Sequence, residues 1–482
     1  MNDVRAVQLT KEQMDCINYN SGDLLVRGVA GAGKSYVVLR RAAKLYKEKK
    51  PEEKVAIFTF TNTLVKFTDD IMKDQLGEGQ IEVQTVDSYC YGIYHDITGR
   101  YFKAGEPDVY ISCIKDALDK HYRNYRAKTR FYEEKYQNFI EEEFKWIREK
   151  CIKKADEYYA TDRKGRGGEV RINQGDKEIL WAIYTLYQQS AQERNYMDFP
   201  DMYVTINDNL KKIPQNKMID YILLDEAQDL TIGKMRVMKY LAKKSITIAA
   251  DMAQKIYKTS FTWKEVGIDI SGRASKALSK SFRSTKQIVL LAEDLMQANR
   301  NNNKQGEYTD AVLPQAEGEL PRLVSCASFF AEEKYITSLI EKLLSGEPSV
   351  IGLIVRTEKE VNEIKRVLEK NGINEYQTIT NEKKTNAKWS LLRPGLKIVK
   401  AHSSKGLEFD HVIIPYVVDT IYPKKLYGQN DEMTDEYLEM ERSLLYVAMT
   451  RARASLVMTY QSVAKSRFID EFKPEHYQKE SV

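Results

Sequence analysis

The chain reads as an α/β protein with two parallel-sheet domains of the P-loop type and a helical insertion in the first. Three observations predict this. Short apolar strand runs alternate with helical patterns over residues 1–90 and return from 218 to 460, as expected of parallel strands joined by helices. The string GVAGAGKS at 28–35 fits G-x-x-x-x-G-K-[ST] and sits between a strand and a helix. From about 91 to 197 the strand runs vanish, and Lys, Glu and Tyr recur at helical spacing, as in RFYEEKYQNFIEEEFKWIREKCIKKADEYY.

The first strand, Asp23-Leu24-Leu25-Val26-Arg27, leads directly into the glycine-rich string, and a periodic helix follows from Tyr36 to Ala42. Gly28, Ala30, Gly31, Ala32 and Gly33 form a loop whose backbone N–H groups can turn onto phosphates, and the helix start adds a positive dipole end. Lys34 can reach the β- and γ-phosphates, and the Ser35 hydroxyl can serve Mg²⁺. An ATP or GTP site is expected here. Strands at 55–61, 81–85, 218–225 and 245–250 complete the first domain. A second series follows at 321–325, 350–356, 397–400, 411–415 and 455–460, with helices at 330–344 and 359–371. The expected division is 1–90 and 200–275 for the first domain, 91–199 for the insertion and 276–482 for the second domain. Within the insertion, the Gly-rich basic break at 161–168 is either a solvated turn or a nucleic-acid contact.

Length and composition fit this layout. The chain has 482 residues, about three domains' worth. A net charge of +5 on a 30% charged chain leaves any nucleic-acid site to a local patch. Five scattered cysteines without a C-x-x-C pair exclude a disulfide framework and a zinc or iron–sulfur site. No apolar stretch reaches the ~20 residues of a membrane helix, and the first residues, MNDVRAVQLTKEQ, lack the apolar core of a signal peptide. A cytoplasmic protein with no membrane contact is expected.

A phosphate loop needs a metal ligand on a neighbouring strand. Tyr221-Ile222-Leu223-Leu224 is a buried-strand run ending in Asp225-Glu226-Ala227-Gln228-Asp229. The C-terminal end of a strand is where α/β sheets place ligands. Asp225 is the candidate for holding Mg²⁺ and Glu226 for activating the attacking water.

With these residues in place, the order and spelling of further motifs resemble the superfamily one DNA helicases of the UvrD/Rep/PcrA type. LTKEQ at 9–13 is similar to the motif that reads adenine, with Gln13 as reader. Phe58-Thr59-Phe60-Thr61-Asn62 resembles the motif that touches single-stranded DNA, with Phe60 stacking on a base and Asn62 beside it. Asp225–Asp229, DEAQD, matches the family's metal motif. Residues 250–257, ADMAQKIY, resemble the motif in which Gln254 senses the γ-phosphate and Tyr257 faces DNA. Residues 278–285, LSKSFRST, imply adenine stacking by Phe282 and a γ-phosphate contact by Arg283. Residues 402–410, HSSKGLEFD, imply His402 at the DNA and Glu408 at the nucleotide. Residues 445–453, LYVAMTRAR, imply an arginine finger at Arg451. The resemblance runs from Leu9 to Arg453. It implies two RecA-like domains, ATP and Mg²⁺ as cofactors, and catalytic roles for Lys34, Glu226, Gln254, Arg283 and Arg451.

Some positions depart from the family pattern. Tyr36 stands where relatives carry Arg, which leaves an adenine contact to an aromatic ring. Thr85-Val86-Asp87-Ser88 replaces T-x-H-S, putting an acid where DNA is expected. The segment after Tyr257 is rearranged, so stacking falls to Phe261 or Trp263. Lys400 replaces a common Thr and can meet a phosphate. Only 25 residues separate Asn371 from Lys397, where relatives insert a large regulatory subdomain. Its absence is expected, as is that of a nuclease domain after Arg453.

The sequence therefore predicts an ATP-dependent helicase or translocase on single-stranded or tailed duplex DNA, moving 3′→5′ by resemblance. Domain closure over ATP would drive it. The roles in view are DNA repair, plasmid or phage metabolism, and antiviral defence. The alternative is a DNA-sensing ATPase subunit that regulates a partner such as a nuclease, as in the Gabija defence system.

Overall fold

In the computed structural model the described residues are 9–28, 31–59, 62–126, 128–161, 170, 172–250, 263–268, 274–278, 280, 284–302, 313–379, 393–424 and 435–482. The first domain is a six-stranded parallel sheet of β1 (Leu24–Gly28), β2 (Val55–Thr59), β3 (Glu82–Thr85), β4 (Ile219–Leu224), β5 (Ala242–Ala250) and β6 (Ser275–Leu278), in the order β3-β2-β4-β5-β1-β6. Its helices are α1 (Lys11–Ile17), α2 (Lys34–Glu48), α3 (Asn62–Leu76) and α4 (Val86–Thr98). The insertion holds α5 (Pro107–Tyr125), α6 (Gln137–Glu149), α7 (Ala155–Ala160) and α8 (Gln174–Glu193), and the chain returns through α9 (Phe199–Asp208) and α10 (Ile232–Leu241). Strands such as β2, buried at every position, show why the sequence runs are continuously apolar. A parallel sheet is covered on both faces, here by the clusters around Leu224 and Ile248 on one side and Val38 and Ile57 on the other.

The second domain is a seven-stranded parallel sheet of β7 (Arg322–Cys326), β8 (Val350–Val355), β9 (Tyr376–Ile379), β10 (Gly395–Lys400), β11 (Phe409–Ile414), β12 (Ala452–Gln461) and β13 (Gln478–Ser481), ordered β13-β7-β12-β11-β8-β10-β9. Helices α11 (Lys286–Asn302), α12 (Phe329–Leu344), α13 (Glu358–Lys370) and α14 (Asp435–Met449) cover it. No described helix is long and apolar enough to cross a membrane.

Two boundaries differ from the sequence expectation. Ser275–Leu278 pairs in parallel with β1, so the first domain extends past 275 and the second begins after Leu278. The strand was missed because SKAL is short and barely apolar. At the other boundary, the insertion's own core begins later than 91. Helices α4 and α9 pack on the first sheet through Ile93, Tyr94, Met202 and Ile206. The separate core starts with Cys113 and Ile114 on α5 and runs through Phe144, Trp146 and Tyr187. Arg148 ties that core back to α9. Its buried guanidinium pairs with Asp198 at 2.8 Å and Asp201 at 3.0 Å, and lies 5.0 Å from the Tyr110 ring centroid. Strands β9 and β13 were also missed; both are four-residue edge strands of mixed polarity.

Candidate nucleotide cleft and nucleic-acid interface

The phosphate loop leaves β1 and enters α2. Gly33 caps that helix at φ +80°, a conformation that strains any side chain. A Cβ there would also lie 2.7 Å from Gln13 Nε2. Gln13 is buried at the loop. Its Nε2 donates to the Ala32 carbonyl at 3.1 Å, and its Oε1 accepts from the Thr10 N–H at 3.1 Å, closing a capping box on α1. Buried Arg41 secures α1 in turn, donating to the carbonyls of Cys16 and Ile17 at the helix end. The Lys34 amine donates to the Gly28 carbonyl at 2.8 Å, folded back across the loop.

Beyond β4, the Asp225 N–H donates to the Phe58 carbonyl at 2.9 Å, fixing the acidic turn to the end of β2. Glu226 adopts φ 56°, ψ 38°, left-handed for a non-glycine residue, a conformation worth about 1–3 kcal/mol of strain and common at functional sites. The Glu226 N–H donates to Asp225 Oδ1 at 3.0 Å, and Gln228 Nε2 donates to Glu226 Oε2 at 2.6 Å. The Ser35 hydroxyl bonds the Asp225 carboxyl. Burial, reinforced by the negative Glu226, pushes Asp225 up to about 6. A cation would reverse that effect, and a hydroxyl with a carboxylate is the hard oxygen pair that Mg²⁺ takes alongside phosphate and water. Ser35 and Asp225 thus fit the metal role expected of them.

The second domain forms the opposite wall. Lys405 pairs with Asp229 and stands 3.5 Å from Glu226 Oε2. Arg451 is buried just before β12, its Nε donating to the Val447 carbonyl at 2.8 Å and its Nη2 to Thr450 Oγ1 at 3.2 Å. Burial alone would raise the Glu226 carboxyl, yet Lys405, Lys34 and Arg451 hold it below the ordinary carboxylate range. Cations of both domains therefore act on one carboxylate. Gly406, at φ +77°, lets the second domain approach closely, since a Cβ there would lie 2.7 Å from Leu64 Cδ2 of the first. Glu408 is exposed, and the following Phe409 N–H bonds the Arg451 carbonyl at 3.0 Å. Ser284 Oγ donates to the Ala452 carbonyl at 2.6 Å, placing the start of the second domain beside the arginine's neighbour.

Ala30, Phe60, Gln254, Tyr257, Phe261, Phe282 and Arg283 lie outside the described residues. Among the others, Tyr36 accepts from Arg40 Nε at 2.9 Å, and the guanidinium lies 5.1 Å from its ring centroid. An arginine therefore does reach this corner, four residues after the position where relatives carry one. Asn62 opens α3, half-buried. Lys400, at the C-terminal end of β10, pairs with Glu358 at 2.9 Å. His402 lies 3.4 Å from Arg356, and burial plus the cations Arg356, Lys400 and Lys424 pull it down to about 4. It is neutral at pH 7, so it can make hydrogen bonds but carries no charge.

Three residues near the expected DNA path have partners within the protein. Thr85 does not present its hydroxyl to solvent; it caps α4 by accepting from the Ser88 N–H at 3.1 Å. Trp263 is half-buried against the core of the first domain, its short 3-10 turn beside α10. Asp87 also differs from its expected repulsive role. It pairs with Lys234 at 2.7 Å and accepts from the Tyr203 hydroxyl at 2.6 Å. Sequence reasoning missed the roles of Gln228 and Lys405, although both stood inside the quoted strings DEAQD and HSSKGLEFD.

Comparison with known proteins agrees with this geometry. Residues 9–270 match the UvrD/REP helicase N-terminal domain, and residues 277–383 and 371–463 match the UvrD-like helicase C-terminal domain. The DNA helicase II of Rickettsia typhi is 25% identical over 361 residues, covering 70% of this chain and 51% of the relative. The ATP-dependent DNA helicase PcrA of Bacillus subtilis is 25% identical over 395 residues, covering 76% of this chain and 50% of the relative. That of Staphylococcus epidermidis is 26% identical over 327 residues, covering 62% and 41%. The chain thus spans about half the length of these relatives. With two parallel sheets, a phosphate loop on one and an arginine-bearing wall on the other, the chain belongs to the UvrD/REP helicase family.

Proposed function

We propose that this chain is an ATP-dependent motor on single-stranded DNA, moving 3′→5′, that couples hydrolysis to closure of its two RecA-like domains. The observation that supports this best is the convergence of Lys405 and Arg451 from the second domain on Glu226 of the first. Lys34 leaves the Gly28 carbonyl to meet the β- and γ-phosphates. Ser35 and Asp225 hold Mg²⁺, which supplies charge neutralisation on the phosphates when bound. Glu226, kept ionised by its cations, orients the water and takes its proton. Arg451 meets the charge that builds on the γ-phosphate, a contact worth about 10³–10⁵ in rate. Arg451 belongs to the opposite domain, so the site is complete only when the cleft is closed. A strand held across both domains then moves when closure alternates with opening. The 15 residues between β9 and β10 support a compact second domain without the large regulatory subdomain.

The test is ATP turnover with and without single-stranded DNA, followed by strand displacement on 3′-tailed and 5′-tailed duplexes. Stimulation by DNA and displacement from the 3′ tail are expected. Turnover indifferent to DNA would refute the motor. Lys34→Ala is expected to abolish turnover.

A further inference from the structure

The far end of the helical insertion carries an aromatic and cationic cluster that the cleft does not use. From Lys120 to Tyr132 the chain reads KHYRNYRAKTRFY, five cations without an acid. Tyr122 and Tyr125 are 58% and 64% exposed, among the most exposed large rings of the chain. Isolated exposed tyrosines need no explanation, but these two rest on a fixed base. His121 is buried, and its Nδ1 lies 2.6 Å from the Tyr132 hydroxyl. The Tyr125 ring packs on His121 at 4.8 Å, and Tyr122 meets Tyr132 edge-on at 5.4 Å. The rings are set before any ligand arrives, which lowers the entropy of binding.

The cations around them are available. Lys120 pairs with Glu193 and Arg130 with Asp176. Arg123, Arg126 and Lys128 are exposed, with no carboxylate partner among the described residues. Arg126 also closes α5 at φ 47°, the left-handed cap position where glycine is favoured. Glu133 and Glu134 follow, the first paired with Lys135, so the patch is bounded on that side.

We propose that Tyr122, Arg123, Tyr125, Arg126 and Lys128 form a second binding site for single-stranded DNA, outside the nucleotide cleft. Flat exposed rings flanked by unpaired cations suit unpaired bases and their phosphates; a duplex would hide its base faces. The inference rests on the motor reading and extends it. The 19 residues of α5 carry this tip about 28 Å from the root of the insertion at 1.5 Å per residue. A strand must therefore extend well past the cleft to reach it, which only a long one does.

That length supplies the test, with the full chain and two oligodeoxythymidylates, of about 8 and about 30 nucleotides. Tyr122→Ala with Tyr125→Ala should weaken the long strand about tenfold or more, since stacking is worth ~1–3 kcal/mol per base, and leave the short one unchanged. Replacing Arg123, Arg126 and Lys128 by Gln should lower the salt slope for the long strand by about 2. Arg126→Gly should raise the melting temperature while weakening the long strand, a pairing that a purely structural residue would not show. DNA-free ATP turnover should stay the same in all three. Long-strand affinity unchanged in every variant, or lost equally for both lengths, overturns the tip site while DNA-stimulated turnover keeps the motor. Wild-type turnover indifferent to DNA removes the motor and this site with it.

Discussion

On the first-domain wall of the cleft, Lys34 and Ser35 open α2, and Asp225 and Glu226 follow β4 directly. Their positions are consequences of local chain geometry: a strand end, a glycine at φ +80°, a helix start. On the second-domain wall, Lys405 and Arg451 stand 46 residues apart in sequence, and their place at Glu226 depends on how two separate sheets pack. The first wall joins two motifs, and the chain prepares the chemistry of each within a few residues. The second is an assembly, and in the proposed motor that difference lets closure gate the reaction.

The comparison can be broken most forcefully at Arg451. Arg451→Ala should lower DNA-stimulated turnover by about 10³–10⁵ while ATP still binds to the first wall. Because Arg451 is buried, a thermal melt must accompany it, and Arg451→Lys, which keeps charge and most volume, should show most of the loss without the unfolding. Equal loss of nucleotide affinity and rate would make the two walls one binding unit.

Glu226→Gln tests the point where the walls meet. Turnover should fall by about 10²–10⁴, with nucleotide bound and retained, as read by single-turnover kinetics. A near-normal rate would remove the carboxylate as base.

Trp263→Ala sharpens the contrast between packing and contact. A half-buried ring predicts a loss of about 2 kcal/mol in stability, below the ~3–5 kcal/mol of a fully buried aromatic. Denaturant melts would read it. DNA affinity per folded molecule should hold; a large selective drop in affinity would return Trp263 to the DNA.

The smallest effect is at His402. Its folded pKa, about 4, lies below the ordinary 6.5, so the unfolded chain takes a proton first as pH falls. Its contribution is therefore complete above about 6.5 and is lost between there and about 4. His402→Asn should flatten that part of the stability–pH curve, leaving stability at pH 7 little changed. An unchanged curve would mean the imidazole is freely solvated.

Residue by residue, the sequence by itself determined the first wall. GVAGAGKS and the carboxylates after YILL could be read because their function depends on backbone conformation and on neighbours one to four residues away. The long apolar strands were legible for the same reason, since burial on both faces leaves continuous runs. Edge strands β6, β9 and β13 were not, because four residues of mixed polarity carry no clear period; β3, equally short, was legible through the alternation Ile81-Glu82-Val83-Gln84. Tertiary structure alone decided that Trp263 packs inward, that Asp87 meets Lys234, and that Lys405 reaches Glu226. Each of these depends on which groups the fold brings within a few ångströms across dozens or hundreds of residues. Charge, ring and hydroxyl types tell what a residue can do, but only packing selects its partner.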